Sequence, residues 1–445
     1  MKNDKIIKEM GEGLILRRGM VEDAQNLAEF NAKLHSDDGP SQPDQGIAAW
    51  VDDLTTRPHP TFDVSDFTIV EDTKTGEIVS SMNSIPQIWS YAGIEFQVGR
   101  LELVGTALAY RNQGLVRTQF DWFHQFGADR GQKMGVITGI PYYYRQFGYE
   151  MGLALGGGRA GSITKIPKLK KDQREDFMVR PAEPCDIDFM SKLYTASLER
   201  QLVGCLRSKD MWNYELSGRS EGSAVAEKLR IIETLDGSPV GFLVHPPMLW
   251  GSKLSLLVFE IKDGISWLDV TPTVLRYLQS EGTAYAARGE DAQFDSFGMS
   301  LGVEHPVYDV IPARLPEVIN PYAWYLRIAD LPEFLRLIGG VLEQRLLNSP
   351  LVGHSGNLKL CFFQTGILLT FTRGNLSKVE TYKPEHAQDG DVLFPDLTFL
   401  QVLFGYRSFD EVERAFADCY ARNDHGRALV KFLFPKKPSN IWSIV

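Results

Sequence analysis

The stretch Val104-Gly-Thr-Ala-Leu-Ala-Tyr-Arg-Asn-Gln-Gly-Leu-Val-Arg117 decides the fold, and it is answered downstream by Pro141-Tyr-Tyr-Tyr-Arg-Gln-Phe-Gly-Tyr149. An apolar strand runs into Arg111-Asn112-Gln113-Gly114 and then into a helix, so free backbone N–H groups gather at a positive helix end. A pyrophosphate fits such a place. Val116, Phe120, Phe123 and Gly127 recur at helical spacing and predict the buried face of that helix, with Arg130-Gly131 as its stop. A further strand, Met134 to Thr138, is expected to run beside Leu103 to Thr106.

Upstream, Leu14-Ile-Leu-Arg17 reads as a strand and Val21-Glu-Asp-Ala24 as the opening of a helix with apolar positions Leu27, Phe30 and Leu34. Phe67–Glu71 and Ile78–Met82, joined through Lys74-Thr75-Gly76, read as a hairpin. The same order returns later. Arg17 and Arg180 are 163 positions apart, as are Asp23 and Asp186, and the hairpin recurs as Leu229–Glu233 with Val240–Leu243. This is the signature of a tandem duplication. Where the second copy should carry its glycine loop it reads Trp267-Leu-Asp-Val-Thr-Pro-Thr-Val-Leu275, without the glycine that admits a phosphate to the backbone. One working cofactor site per chain is expected.

A third region begins near Asn320-Pro321. A helix from Leu331 to Leu346, alternating strands at Leu358–Phe363 and Ile367–Phe371, and a capping box at Ser408-Phe-Asp-Glu411 make it an α+β unit. Its end, Asn440-Ile-Trp-Ser-Ile-Val445, is apolar where free termini are usually polar, which predicts a docked tail.

The 445 residues allow about three domains, and 43% hydrophobic with 23% charged residues is ordinary for a globular chain. A net charge of -10 with no long Lys or Arg run argues against nucleic acid as a partner. No segment has the roughly 20 apolar residues of a membrane span, and the first residues lack a signal core, so no membrane partner and a cytoplasmic location are expected. Cys185, Cys205, Cys361 and Cys419 are far apart and read as reduced core thiols. The eight histidines show no ligand spacing, so no metal is assigned.

The segment from Val104 to Tyr149 resembles the acetyl-CoA-binding core of the Gcn5-related N-acetyltransferase (GNAT) superfamily, whose motif follows an apolar strand with Arg/Gln-x-x-Gly-x-Gly/Ala. Val116 stands where that motif has Gly or Ala. The whole chain resembles the Eis (enhanced intracellular survival) type. That implies an N-terminal GNAT domain at 1–160, a degenerate GNAT-like domain at 175–315 and a sterol-carrier-protein-like domain at 320–445, the fold class being α/β and α+β with two tandem mixed-sheet units.

The resemblance places acetyl-CoA contacts on Val104, Gly105 and Thr106, on Arg111, Asn112, Gln113, Gly114, Leu115, Val116 and Arg117, and on Gly139 and Ile140. It makes Tyr144 the general acid and the C-terminal carboxylate of Val445 the general base. A phenol with a pKa near ~10 stays protonated at neutral pH and suits a departing thiolate; Tyr142 and Tyr143 read as aromatic packing on the sheet. Asp37 and Asp38 fall where the family lines its substrate mouth with acid, although a solvated loop explains them equally. The implied activity is direct acetyl transfer from acetyl-CoA to primary amines of cationic small molecules, aminoglycosides first, by a homo-oligomer, a hexamer in the family. Lysine, peptide or other polyamine acetylation is one alternative. A carrier of apolar ligands with a vestigial transferase is another.

Overall fold

The computed structural model describes residues 5–289 and 292–445. The chain begins with β1 (Ile6–Gly11), unforeseen in the sequence because it is an edge strand with exposed Lys8 and Glu9, and continues into β2 (Leu14–Arg18). Two helices follow, α1 (Ala24–Leu34) and α2 (Gln45–Thr56). Asp44 starts α2 by accepting from the N–H groups of Gly46 and Ile47. Strands β3 (Phe67–Asp72), β4 (Glu77–Tyr91) and β5 (Ile94–Thr106) extend the sheet as an antiparallel meander. Helix α3 (Leu115–Asp129) then crosses to β6 (Met134–Ile137), which pairs parallel to β5, and β7 (Glu150–Leu155) and β8 (Gly158–Ser162) follow.

The next segment runs β9 (Phe177–Pro181), α4 (Ile187–Ser197), β10 (Val203–Cys205), α5 (Lys209–Ser217), β11 (Lys228–Thr234), β12 (Pro239–His245), β13 (Lys253–Leu256), β14 (Val258–Ile261), α6 (Trp267–Ala286), β15 (Ser296–Met299), β16 (Glu317–Ile319) and β17 (Tyr322–Ile328). Its strands do not stay together. β9, β11, β12 and β14 make one sheet, whereas β13 and β15 pair with β8 and β16 in another. β10 adds to β4 of the first sheet, and β17 enters that sheet between β6 and β7. Ala323, Trp324, Tyr325 and Leu326 are all buried, as a strand flanked on both edges and covered on both faces requires. The boundary expected at residue 320 therefore does not coincide with a sheet boundary: β17 lies inside the first sheet and joins β6 to the edge strand β7.

Arg17 and Arg180 do the same job in two places. Arg17 Nε donates to Glu71 at 2.7 Å and its two terminal nitrogens fork onto Asp23 at 2.7 Å each. Arg180 Nε donates to Glu233 at 2.7 Å and forks onto Asp186 at 2.7 and 2.9 Å. In each case the aspartate also accepts from the N–H three residues earlier, of Met20 and of Glu183. A strand, the next strand and the helix start are thus bound through one guanidinium, whose planar donors suit two carboxylates.

Beyond β17 the expected helix from Leu331 to Leu346 is two, Leu331–Leu337 and Gly339–Leu347, broken where Gly339-Gly340 weakens helix formation. Strands Gly356–Cys361 and Gly366–Thr372 and the Ser408–Glu411 capping box form close to where they are expected, the first stopping short of Phe362-Phe363, and an unforeseen third strand, Asn375–Tyr382, adds to them. Cys205, Cys361 and Cys419 are buried free thiols, but Cys185 is exposed, a correction that follows from its place in the turn before α4. The tail docks. Ile441, Trp442 and Ile444 are buried, Arg207 donates to the Trp442 carbonyl at 2.7 Å, and Gln87 and Arg100 donate to the Ile444 carbonyl at 2.7 and 2.8 Å. Among the described residues no helix is long and apolar enough to cross a membrane.

Replacing Arg17 takes the guanidinium away from the Asp23 and Glu71 carboxylates. Arg17→Met is expected to lower stability in urea unfolding by about 3–5 kcal/mol. Arg180→Met should cost less, because the Arg180 side chain is 31% exposed against 2% for Arg17.

Candidate active site

The candidate cleft originates in a fault between two strands. β5 and β6 pair only over Val98–Arg100 and Met134–Val136. They then part, rather than running side by side to Thr106. The reason lies on the other edge of β5, where Ser81 faces Gly105 and Asn83 faces Glu102, so Leu103 and Val104 together oppose Met82. Leu103 takes φ 52°, the left-handed conformation of a bulge. The extra residue turns β5 away from β6, and the backbone from Glu102 to Thr106 makes no ladder pairs with β6. A cavity of about 780 Å³ occupies the gap.

Val104, Gly105, Thr106, Arg111, Asn112, Gly114, Leu115, Val116, Arg117, Gly139 and Ile140 all line this cavity, whereas Gln113 is exposed beside it. Asn112 and Gly114 have φ of 63° and 75°, which turns the loop into α3. Gly114 is the helix N-cap, no side chain caps it, and the first intrahelical bond is Thr118 N–H to the Gly114 carbonyl at 3.0 Å. The N–H groups of Leu115, Val116 and Arg117 are therefore the free donors of the helix end. A Cβ on Gly114 would meet nothing within 4 Å, so an anion can come close. These features fit a pyrophosphate.

The buried face of α3 carries Phe120, Phe123 and Gly127 as expected and adds Leu115 and Gln119, while Val116 is half-buried and also lines the cleft. Gln119 escaped the sequence pattern by being polar. It accepts from Thr68 and donates to Ser80, both at 2.8 Å, and so locks the helix on the sheet.

Tyr144 closes the other end. Gly139, with φ 114°, lets the chain turn there, and a Cβ on it would lie 3.7 Å from the Tyr144 hydroxyl. Tyr144 is buried among Phe120, Tyr143 and Tyr325 but lines the cavity. Burial, reinforced by the nearby Glu102 carboxylate, pushes its pKa well above the usual phenol range, so it keeps its proton. Tyr143 also lines the cavity, while Tyr142 is 74% exposed and does not pack on the sheet as expected. Strand β17 positions this corner: Tyr322 donates to the Gly139 carbonyl at 2.8 Å, and the Tyr142 N–H donates to the Tyr325 hydroxyl at 2.6 Å. Nothing in the motif pointed to residues so distant.

Leu34, His35, Glu102 and Tyr110 complete the walls. Glu102 receives Arg100 Nε at 2.9 Å, and the same guanidinium holds the Ile444 carbonyl and Ser443 Oγ, which ties the docked tail to the cavity wall. Val445 is not among the lining residues; Arg219 donates to its terminal oxygen at 2.9 Å and also pairs with Glu215. Asp37 and Asp38 are exposed beyond the end of α1 and do not line the cavity. No cluster of three metal-ligating side chains occurs among the described residues.

Gly105 has no room for a side chain: its Cβ would collide with Leu34 Cδ2. Gly105→Ala is expected to lower stability by about 1–3 kcal/mol in urea unfolding. Adding Leu34→Ala should restore part of that loss.

Residues 40–152 match the family of acetyltransferase (GNAT) domains. Similar solved structures include a conserved protein of unknown function from Enterococcus faecalis V583, called a probable N-acyltransferase, at 12% identity and TM-score 0.66 over 97% of this chain and 100% of that one. A GCN5-related N-acetyltransferase from Anabaena variabilis ATCC 29413 is 14% identical, with TM-score 0.63 over 96% and 99% of the two chains. Eis1 from Mycobacterium abscessus is 12% identical, with TM-score 0.58 over 96% and 99%. No curated protein matches. At these identities the structural likeness speaks for the fold, and the domain match supplies the chemistry. Residues 40–152 carry the match to GNAT acetyltransferase domains, a kind of domain that uses acetyl-CoA, and acyl transfer is the chemistry that this match supports.

Proposed function

We propose that this protein transfers the acetyl group of acetyl-CoA to primary amines of cationic small molecules, aminoglycosides first among them, directly in a ternary complex. The observation that carries this reading is that the edge of β5 over Glu102–Thr106, without a partner in β6, the uncapped start of α3 and Tyr144 line one cavity. The pyrophosphate rests on the N–H groups from Leu115 to Arg117, and the pantetheine amide pairs with the free edge of β5. A backbone N–H of that strand then polarises the thioester carbonyl as negative charge develops. Tyr144 gives its proton to the departing thiolate. The late proton on the amide nitrogen goes to the terminal carboxylate of Val445, a reading supported by the tail's attachment through Arg100 to Glu102.

We also read 175–315 as a degenerate GNAT-like unit and 320–445 as sterol-carrier-like, within a cytoplasmic homo-oligomer, hexameric as the resemblance implies. The repeated Arg–Asp–Glu fork supports the duplication. Trp267, packed on Phe259 and His305 at ring separations of 4.9 and 5.1 Å, fills the start of α6 and supports a single cofactor site. One observation favours a second reading: an apolar cavity of about 680 Å³, walled by Leu331, Phe362, Ile367, Phe399 and Leu400, suits a carrier of apolar ligands.

Release of CoA thiol, followed with aminoglycosides, other polyamines and lysine peptides, separates these readings. The expected result is release with aminoglycosides, and a fall of about 100-fold or more in kcat for Tyr144→Phe with acetyl-CoA affinity retained. Preference for lysine peptides would move the assignment to protein acetylation. Silence with every amine, together with binding of a fatty acid in the second cavity, would replace transfer by carriage.

A further inference from the structure

One titratable group on the cavity wall is not used by the acid and base named above. His35 follows the last residue of α1, and its N–H donates to the Asn31 carbonyl as the helix ends. Its Nε2 is buried and has no hydrogen-bond partner among the described residues. A Cβ on Gly105 would lie only 3.7 Å from that nitrogen, so His35 stands over the middle of the unpaired β5 segment. Leu34 packs on the same glycine and holds the helix end against the strand. An orphaned imidazole nitrogen in a closed core would cost on the order of 1–3 kcal/mol. At the wall of a cavity it has a different use, as a hydrogen-bond acceptor for whatever enters.

We propose that His35 is the base that removes the first proton from the acceptor's ammonium group, with Nε2 as the accepting atom and Glu102 stabilising the imidazolium. This rests on the acetyl-transfer reading and adds a residue that it lacks. A primary amine with a pKa near that of lysine, ~10.4, is almost wholly protonated at pH 7 and has no lone pair for attack. The terminal carboxylate is too weak a base for that proton. An imidazole held neutral is the better match, and burial lowers the His35 pKa below its ordinary value while Glu102 acts in the opposite sense. The other titratable and charged groups lining the cavity are Tyr110, Arg111, Arg117, Tyr143 and Tyr144. Both arginines disfavour a second positive charge, so proton loss to solvent follows readily.

The steps balance. The ammonium gives one proton to Nε2 and becomes an amine, whose lone pair forms the C–N bond at the thioester carbon. Collapse breaks the C–S bond, and sulfur keeps the electron pair and takes the Tyr144 proton. The remaining extra proton on nitrogen leaves by the terminal carboxylate and restores the tyrosine, and the imidazolium releases its proton to solvent. The net products are the acetamide, CoA thiol and one proton.

The test uses the full chain and two acceptors: a primary alkyl amine, protonated at pH 7, and a hydrazide, whose nitrogen is already neutral. His35→Gln is expected to lower kcat/KM for the amine by about 100-fold or more, in the range of lost acid–base catalysis, and for the hydrazide by only a few-fold. His35→Ala should recover amine turnover when imidazole is added. Equal losses with both acceptors and no rescue would make His35 a packing residue and overturn the inference. So would a His35→Gln protein as active as the parent on the amine, which would leave acetyl transfer itself standing. A parent protein that releases thiol with neither acceptor would remove the transfer reading and the base with it.

Discussion

The extra residue in β5 is the constraint on which the site depends. A strand in a sheet normally satisfies its backbone on both edges. Here Leu103 and Val104 share one partner on β4, the strand turns, and its far edge leaves β6 after Arg100. Four things then follow from position alone. A gap opens between two strands of an otherwise continuous sheet, its wall carries unpaired backbone groups, α3 starts at one end, and the Gly139 turn with Tyr144 stands at the other. The fold does not add a site to a finished sheet. It makes one by leaving a sheet unfinished.

An unfinished sheet needs support, and the support comes from far along the chain. β17 pairs with β6 and β7 and, through the hydroxyls of Tyr322 and Tyr325, fixes the corner that presents Tyr144. β10 extends β4, and the tail lies against β4 and β5, bonded by Gln87 and Arg100. Arg17 binds β2, β3 and the start of α1, the helix whose last turn carries Leu34 and His35 to Gly105. The cleft is therefore a property of the whole chain, although most of its lining comes from residues 102–147.

Much of this was legible in the sequence where the signal is local. The apolar strand before Arg111–Gly114, the stop at Gly131 and the paired spacing of Arg17 with Asp23 and Arg180 with Asp186 are short-range patterns with a direct physical meaning. What escaped was carried by distance or by polarity. The splitting of β5 from β6 depends on a register shift against β4, which no residue in Leu101–Thr106 announces. Gln119 sits on the buried face of α3, where an apolar pattern cannot find it. β17 escaped altogether, because pairing between residues 134–137 and 325–328 leaves no trace in either segment alone. His35 carries no signal of its own in the sequence, because its place depends on how closely the end of α1 packs on Gly105.

The most direct test of the account is amide hydrogen exchange, with and without acetyl-CoA, read residue by residue along β5 and the start of α3. New protection is expected at Val104–Thr106, where the pantetheine would complete the strand's edge, and at Leu115–Arg117, where the pyrophosphate would take the free N–H groups. Unchanged exchange in both segments with acetyl-CoA bound elsewhere would contradict it.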